Sequence, residues 1–496
     1  MFNRTTSQGH LLNNLFPSFT RLQTLASGPA TPHPSYQVMF NRWEPIVHLN
    51  GGTIAMKEAE RKYLPQEEGE EDNIYYNRLT RSVLFGAYSR TVKSLSAIPF
   101  MTAMTVADLP TELEYLLSEA DGDEEALHPF VKRLLEDLIN FGKCHILVEY
   151  PVLEEELSLG EEQEQNIRPY FSRINPLKLI NWTYKTVGSK KQLTSIRLFE
   201  DVDVVDPADQ WNVKPVQQIR NITPGFTQIF QNSDSDGKET GYTQLGDDIP
   251  NSLDKIGLVT VYANKQGYMQ SAPLLEELAW LNIRHYQKVS DLDNIEHVTS
   301  IPMAYALGIE DGEMDKVTFA AHTLLKSTNP EVKIGYLEHQ GKAIPAQQNS
   351  IQQLEQRMAA MGADMLTPRG TSTRETGIAK TIDNTKATSI LQESVEALEL
   401  GLEKAFTLAG EWMDVDASGT QVNIGDKISL TVDANLVANL IGLMQSKNLS
   451  PEDLTQEMQK RGMLSESTNL TSGIEDQVTD TPQIGDDVAV LDDASD

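Results

Sequence analysis

The chain has 496 residues, 39% of them hydrophobic, and a formal charge of −31. That is ample for a core and, at roughly 150 residues per domain, suggests about three structural regions. A chain this acidic is excluded from gripping nucleic acid over a broad surface, where affinity comes from Lys and Arg on phosphates, but it can surround DNA without holding it.

In chain order, residues 1–35 are mixed polar, with Pro29, Pro32 and Pro34 near the end, and read as an N-terminal arm. Tyr36, Met39, Phe40 and Trp43 give a short helical pattern over 36–49. An acidic loop at 67–72 precedes a predicted helix over 74–98, which Pro99 ends. Arg78, Arg81, Arg90 and Lys93 on it are either a solvated face or a contact to a neighbouring subunit. Helices follow at 111–120 and 129–141, the second closed by Gly142, and then a buried strand at 144–150. Cys144, the only cysteine, lies in that apolar run; it excludes an internal disulfide framework and reads as a buried thiol. The acidic run 154–164 reads as a loop.

From 168 to 261 the texture changes to short strands, at 170–174, 179–184, 195–199, 216–220 and 258–262. The segment 232–237 has calcium-loop spacing but begins with Asn232 and has Thr243 where the closing Glu belongs, so it reads as a hairpin tip. Ser271 caps a predicted helix over 271–295. A strand at 297–307, a short helix at 315–325 and a strand at 332–336 make a compact αβ segment. The next helix, 350–366, carries Ile351, Leu354, Met358, Met361 and Met365 on one face. A polar break with Pro368 and Gly370 separates it from a predicted helix over 378–413, roughly 54 Å long at ~1.5 Å per residue. That helix has a stripe of Ile390, Leu391, Val395, Leu398, Leu402, Phe406, Ala409 and Met413. A hairpin over 422–432, two helices over 434–464 and an acidic tail without Lys or Arg over 465–496 complete the chain.

The sequence has no phosphate loop, dinucleotide fingerprint, zinc-protease motif, nucleophile elbow or Cys-x-x-Cys pair. Carboxylate pairs are too numerous among 72 acids to nominate a glycosidase dyad. The expectation is a non-enzyme without cofactor or metal. No apolar run approaches the ~18 residues of a membrane span, so no membrane partner is expected.

The order of parts between 271 and 413 resembles the portal proteins of tailed bacteriophages, the head-to-tail connector family. Further likeness lies in Tyr76-Asn77-Arg78-Leu79-Thr80-Arg81-Ser82-Val83 and in Ser271-Ala272-Pro273-Leu274-Leu275-Glu276-Glu277-Leu278-Ala279, with His285-Tyr286 and Ser290-Asp291-Leu292. It extends over roughly residues 36–460. The resemblance implies an α+β portal fold: a wing at 36–270, helical and then β-rich; a first stem helix at 271–296; a clip at 297–345; a second stem helix at 346–366; a tunnel loop at 367–377; a wing spine helix and hairpin at 378–433; and crown helices at 434–464.

The same resemblance implies a homo-oligomeric ring, usually of twelve subunits, at one capsid vertex of a virion assembled in the host cytoplasm. Double-stranded DNA is packaged and ejected through its channel, past Arg369, Gly370, Thr371, Ser372, Thr373 and Arg374 of the tunnel loop. Those arginines either touch phosphates lightly or pair with carboxylates such as Glu375. Subunit contacts are expected at Arg78, Arg81, Leu391, Val395, Leu398 and Leu402. The terminase large subunit and then the tail adaptor are expected on the clip, at Asp311, Lys316, Lys326 and Lys333, with the major capsid protein around the ring. The alternative reading is another ring or scaffold component of a virion without a DNA path.

Overall fold

The computed structural model describes residues 28–151, 167–206, 209–235, 238–250, 254–300, 303–307, 333–337, 344–364 and 389–425. The chain divides into two units, one spanning 1–98 and 106–422, the other 99–105 and 423–496. The second is described only at 99–105 and 423–425. The architecture is mixed, α+β, as expected. Among the described residues no helix is long and apolar enough to cross a membrane.

Helix α1 (Pro34–Asn50) starts on Pro34, with the His33 side chain accepting from the Ser35 amide at 3.1 Å. A short α2 (Gly52–Glu58) follows. The single helix expected over 74–98 is instead two, α3 (Asp72–Arg81) and α4 (Ala87–Ala97). Ser82 turns to an extended backbone, and its hydroxyl donates back to Arg78 O at 2.9 Å. The break then takes its hydrogen bonds from elsewhere in the fold. Leu84 N donates to Thr53 Oγ1 at 3.1 Å.

Helix α5 (Leu127–Phe141) ends in Gly142 at φ 72°, a left-handed cap. A Cβ there would lie 1.9 Å from Ala272 O, so both conformation and close approach demand glycine. Strand β1 (Lys143–Glu149) then enters the centre of a three-stranded antiparallel sheet between β2 (Tyr170–Ile174) and β8 (Leu258–Tyr262). Register puts Cys144, Ile146, Val148, Phe171, Val259 and Val261 on one face. There α5 and helix α8 (Ile390–Met413) pack: Phe171 meets Phe130 at 6.3 Å and Phe406 at 5.4 Å. The Cys144 thiol is buried here, and desolvation raises its pKa well above the usual value. Asp137 of α5 is ion-paired with Arg173, whose Nε lies 2.9 Å from Oδ2, yet burial still pushes its carboxyl up to about 7.

On the opposite face Lys143, His145 and Leu147 look into a core shared with Tyr36, Met39 and Trp43 of α1. Lys143 is fully buried without a carboxylate on it: Nζ donates to Met269 O at 2.9 Å and lies over Trp43 and Trp182, 5.2 and 5.4 Å from the ring centres. Desolvation pulls its ammonium down to about 7.

That core runs on into a five-strand antiparallel meander in sequence order, β3 (Leu179–Val187), β4 (Lys190–Asp206), β5 (Asp209–Thr223), β6 (Phe226–Ser235) and β7 (Lys238–Gln244). Ser235 pairs with Lys238, so β6 and β7 form a hairpin with residues 232–235 in its first strand; 236–237 lie outside the described residues. Short strands β9 (Lys265–Gly267) and β10 (Gln270–Ser271) lead to α6 (Glu276–Thr299). Ser271 is therefore not the helix cap; its hydroxyl donates to Phe141 O at 2.8 Å.

The spine helix also differs from expectation. It begins at Ile390, because Ser389 is extended and its Oγ accepts from the Gln392 amide at 3.2 Å. With 24 residues α8 is roughly 36 Å long, not 54. Of the hairpin expected at 422–432, Gln421–Asn423 is a strand, and 427–432 lies outside the described residues. So do the arm before 28, the acidic loop at 154–164, the helix at 315–325, the break at 367–377, the helices at 434–464 and the tail.

Candidate functional site

Helix α7 (Ile344–Asp364) packs antiparallel to helix α6. His285 Nε2 lies 3.1 Å from Glu355 Oε1, Lys288 Nζ 2.5 Å from Ser350 Oγ, and Gln348 Nε2 3.2 Å from Glu296 Oε1. As α6 numbers rise from 285 to 296, their α7 partners fall from 355 to 348. Ile283, Tyr286 and Leu292 of α6 are buried, as are Ile351, Leu354 and Met358 of α7. The methionine- and leucine-bearing face read from the sequence is thus the inner face of a helical hairpin.

Between the two helices stand β11 (Met303–Leu307) and β12 (Lys333–Leu337), paired antiparallel from Met303↔Leu337 to Leu307↔Lys333. Rod, β ribbon and returning rod therefore follow in the order read from the sequence. The boundaries shift: α6 runs on to Thr299, past the expected limit of 296, and α7 starts at Ile344, inside the expected clip.

The base of the rods is held by polar ties. Asn282 of α6 is fully buried; its Oδ1 accepts from Tyr88 N at 2.9 Å and its Nδ2 donates to Phe85 O at 2.8 Å. One side chain thereby serves both backbone groups exposed where α3 and α4 part. Ser290 shares a 2.8 Å hydrogen bond with Ser82, Gln287 Nε2 donates to Tyr63 O at 2.8 Å, and Glu276 pairs with Arg42. At the far end of α7, Gly362 lies against Thr91 of α4: a Cβ would sit 3.2 Å from its methyl. Asn282 went unrecognised in the sequence, though its spacing from Leu278 and Tyr286 places an amide on an apolar stripe, which is the signal for a buried hydrogen-bonding role.

The expected contact residues fall in three places. Arg78 is buried: Nε and Nη2 donate to the two Glu70 oxygens at 2.9 and 2.8 Å, Nη2 also reaches Pro65 O at 2.7 Å, and Asp291 is 3.7 Å away. Hydrogen bonding from Arg78 holds the Glu70 carboxyl below its ordinary range. It is neither a solvated charge nor a subunit contact, because its donors are used inside the protomer. Leu391, Val395, Leu398 and Leu402 are likewise buried in their own chain. The stripe of α8 is filled within the protomer, by the sheet beneath it. Arg81 is exposed, with Nη2 donating to Asn294 Oδ1 at 3.1 Å.

Lys333 is exposed at the start of β12. Asp311, Lys316 and Lys326 of the clip, and Arg369, Gly370, Thr371, Ser372, Thr373 and Arg374 of the tunnel loop, lie outside the described residues. Among the described residues no group of three His, Cys, Asp or Glu side chains is placed to hold a metal ion.

A family described as "Domain of unknown function (DUF4055)" matches residues 273–413, the rods, the ribbon between them and α8. No curated protein matches the chain. Among solved structures, the chain is similar to one from the virion of a native gene transfer agent particle, at 10% identity and a TM-score of 0.34. It is similar at 8% identity and 0.34 to one from the neck of the empty particle computed with C6 symmetry. A third, from the neck of the native particle computed with C12 symmetry, gives 9% and 0.35. Each pairing covers 78% of this chain and 88% of the other.

Proposed function

We propose that the chain is a portal-type subunit, a non-enzymatic component of a virion that closes into a ring around a channel for double-stranded DNA. The observation that carries this reading is the antiparallel α6–α7 pair with the β11–β12 ribbon between its ends, followed by a long helix laid on the body of the fold. Two amphipathic rods tipped by a ribbon are a poor design for an isolated enzyme and a good one for a wall repeated around an axis, where heterologous contacts close into a ring. The charge of −31 agrees with a conduit, since acidic walls repel phosphate and keep the polymer from sticking.

In this reading the rods are the stem and the ribbon belongs to the clip, which docks the terminase large subunit and later the tail adaptor. Asp311, Lys316, Lys326 and Lys333 are the residues offered to those partners. The loop carrying Arg369 and Arg374 faces the channel, and exposed Arg81 remains a subunit contact. The ring sits at the portal vertex among copies of the major capsid protein, after assembly in the host cytoplasm. Twelve subunits is the expected number.

The test is the mass and top-view image of the purified chain. Light scattering is expected to give an oligomer, and negative-stain views a ring with a hole wide enough for duplex DNA. A monomer at every accessible concentration, or a ring without a hole, overturns the proposal. Deleting residues 371–374 is expected to leave rings intact while impairing DNA packaging.

A further inference from the structure

Strands β4 and β5 are unusually long, at 17 and 15 residues. Their neighbours do not follow them outward. β6 pairs with β5 only as far as Gln218↔Gln231, and β3 meets β4 only from Leu179↔Leu198 back to Val187↔Lys190. Beyond Glu200 and Gln218, β4 and β5 pair only with each other among the described residues, through Val202↔Val216, Asp203↔Pro215 and Val205↔Val213. A two-stranded ribbon is marginal in water by itself and leaves both edges open for pairing.

The side chains of this ribbon make it odder still. Register puts Asp203, Val205, Val213 and Pro215 on one face; beyond Val205↔Val213 the register shifts, with Asp206 opposite Asp209 and Trp211 in the irregular stretch between. Trp211 is 86% exposed, and Val205 and Val213 are each 53% exposed. An indole in water beside two valines is an unfilled contact surface, and tryptophan is the residue most enriched where binding energy concentrates. Asp203 and Asp209 fringe it, and residues 200–209 contain five acids and no base.

The other end of β4 carries the opposite charge. The β3–β4 hairpin turns at Gly188-Ser189, and residues 185–191 contain three lysines and no acid, in a chain of charge −31. Register puts Lys185, Val187, Lys190 and Gln192 on one face, with Val187 54% exposed. Lys191 points to the other face, over the rings of Tyr184 and Tyr268, 4.5 and 5.1 Å from their centres. The two faces are separated along β4 by roughly 40 Å at ~3.3 Å per residue, so one copy cannot bring its own together.

We propose that the outer end of the β4–β5 ribbon of one copy, which carries Asp203, Val205, Asp209, Trp211 and Val213, docks on the Lys185/Val187/Lys190 face of the next copy of this chain. Opposite charge and exposed apolar side chains at both ends of one strand define a head-to-tail contact, the kind that generates rings. The inference rests on the ring reading above and names a surface that makes the ring.

The test uses the full chain and three sets of variants: Trp211→Ala, the pair Lys185→Glu with Lys190→Glu, and the pair Asp203→Lys with Asp209→Lys. All lie at exposed positions beyond the core, and unfolding curves check that each protomer keeps its stability. Trp211→Ala is expected to raise the concentration for half-assembly on the order of tenfold or more. Each charge reversal is expected to weaken assembly and steepen its loss, and combining the two reversals is expected to restore it. Wild-type rings that persist unchanged in all three sets, or reversed pairs whose combination gives no rescue, overturn the contact while leaving the ring reading in place. A wild type that never assembles overturns both.

Discussion

Two helices of equal length, α6 and α8, each with 24 residues, are held in place by opposite means. Helix α8 is seated almost wholly by apolar packing. Leu391, Val395, Leu398, Leu402, Ala405, Phe406 and Ala409 are buried, and Gly401 lies so close to the sheet that a Cβ would come 2.3 Å from a Val261 methyl. Helix α6 is seated by specific polar groups as well: buried Asn282, His285 and Ser290 alternate with Leu278, Ile283 and Tyr286. Apolar packing tolerates sliding and repacking, whereas a buried amide with two backbone partners permits one position. Helix α6 is thus pinned in register by polar ties from Glu276 to Asn294, and α8 needs no such pins.

The comparison is broken or sharpened by three substitutions. Leu398→Ala is expected to have the largest effect, a loss of about 2–5 kcal/mol in urea unfolding, because it opens a cavity under a helix that has little else to hold it. A cost below about 1 kcal/mol would mean that α8 is not seated by its stripe. Asn282→Ala is expected to cost about 1–3 kcal/mol, chiefly by leaving the Tyr88 amide without the side-chain acceptor it has in the fold, while the Phe85 carbonyl keeps Ala87 N as a donor. Amide exchange at Tyr88 reads this directly; unchanged protection in the variant would show that the α3–α4 break does not depend on α6. Glu355→Ala is expected to be smallest, about 0–1 kcal/mol, since the carboxylate is 44% exposed and its pairing with His285 is screened. A larger loss would show that polar ties hold α6 to α7 along the rods as firmly as they hold α6 at its base.

Much of the fold was legible in chain order. The strands at 170–174, 179–184, 195–199, 216–220 and 258–262 and the helix ending at Gly142 are where alternation and the glycine cap place them. The errors share a cause. Residues 74–98 carry a continuous helical stripe, and the groups that serve the break after Arg81 include Thr53, Asn282 and Ser290, from distant parts of the chain. The apolar stripe on α8 is plain in the sequence, but packing against its own sheet and packing against a neighbour leave the same pattern there. Arg78 stood out as a charge in an acidic chain; nothing local says that Glu70 and Pro65 enclose it. The candidate site was legible in its order of parts, and its polar base was not.

By itself, then, the sequence determined the local elements, the acidic character and the succession of rod, ribbon and rod, because periodicity, capping and net charge are properties of neighbouring residues. Tertiary structure alone decided where the stripe over 74–98 breaks, which side chains are consumed inside the protomer and which faces stay open. Those outcomes depend on groups far apart in the chain competing for the same buried surface and the same backbone hydrogen bonds.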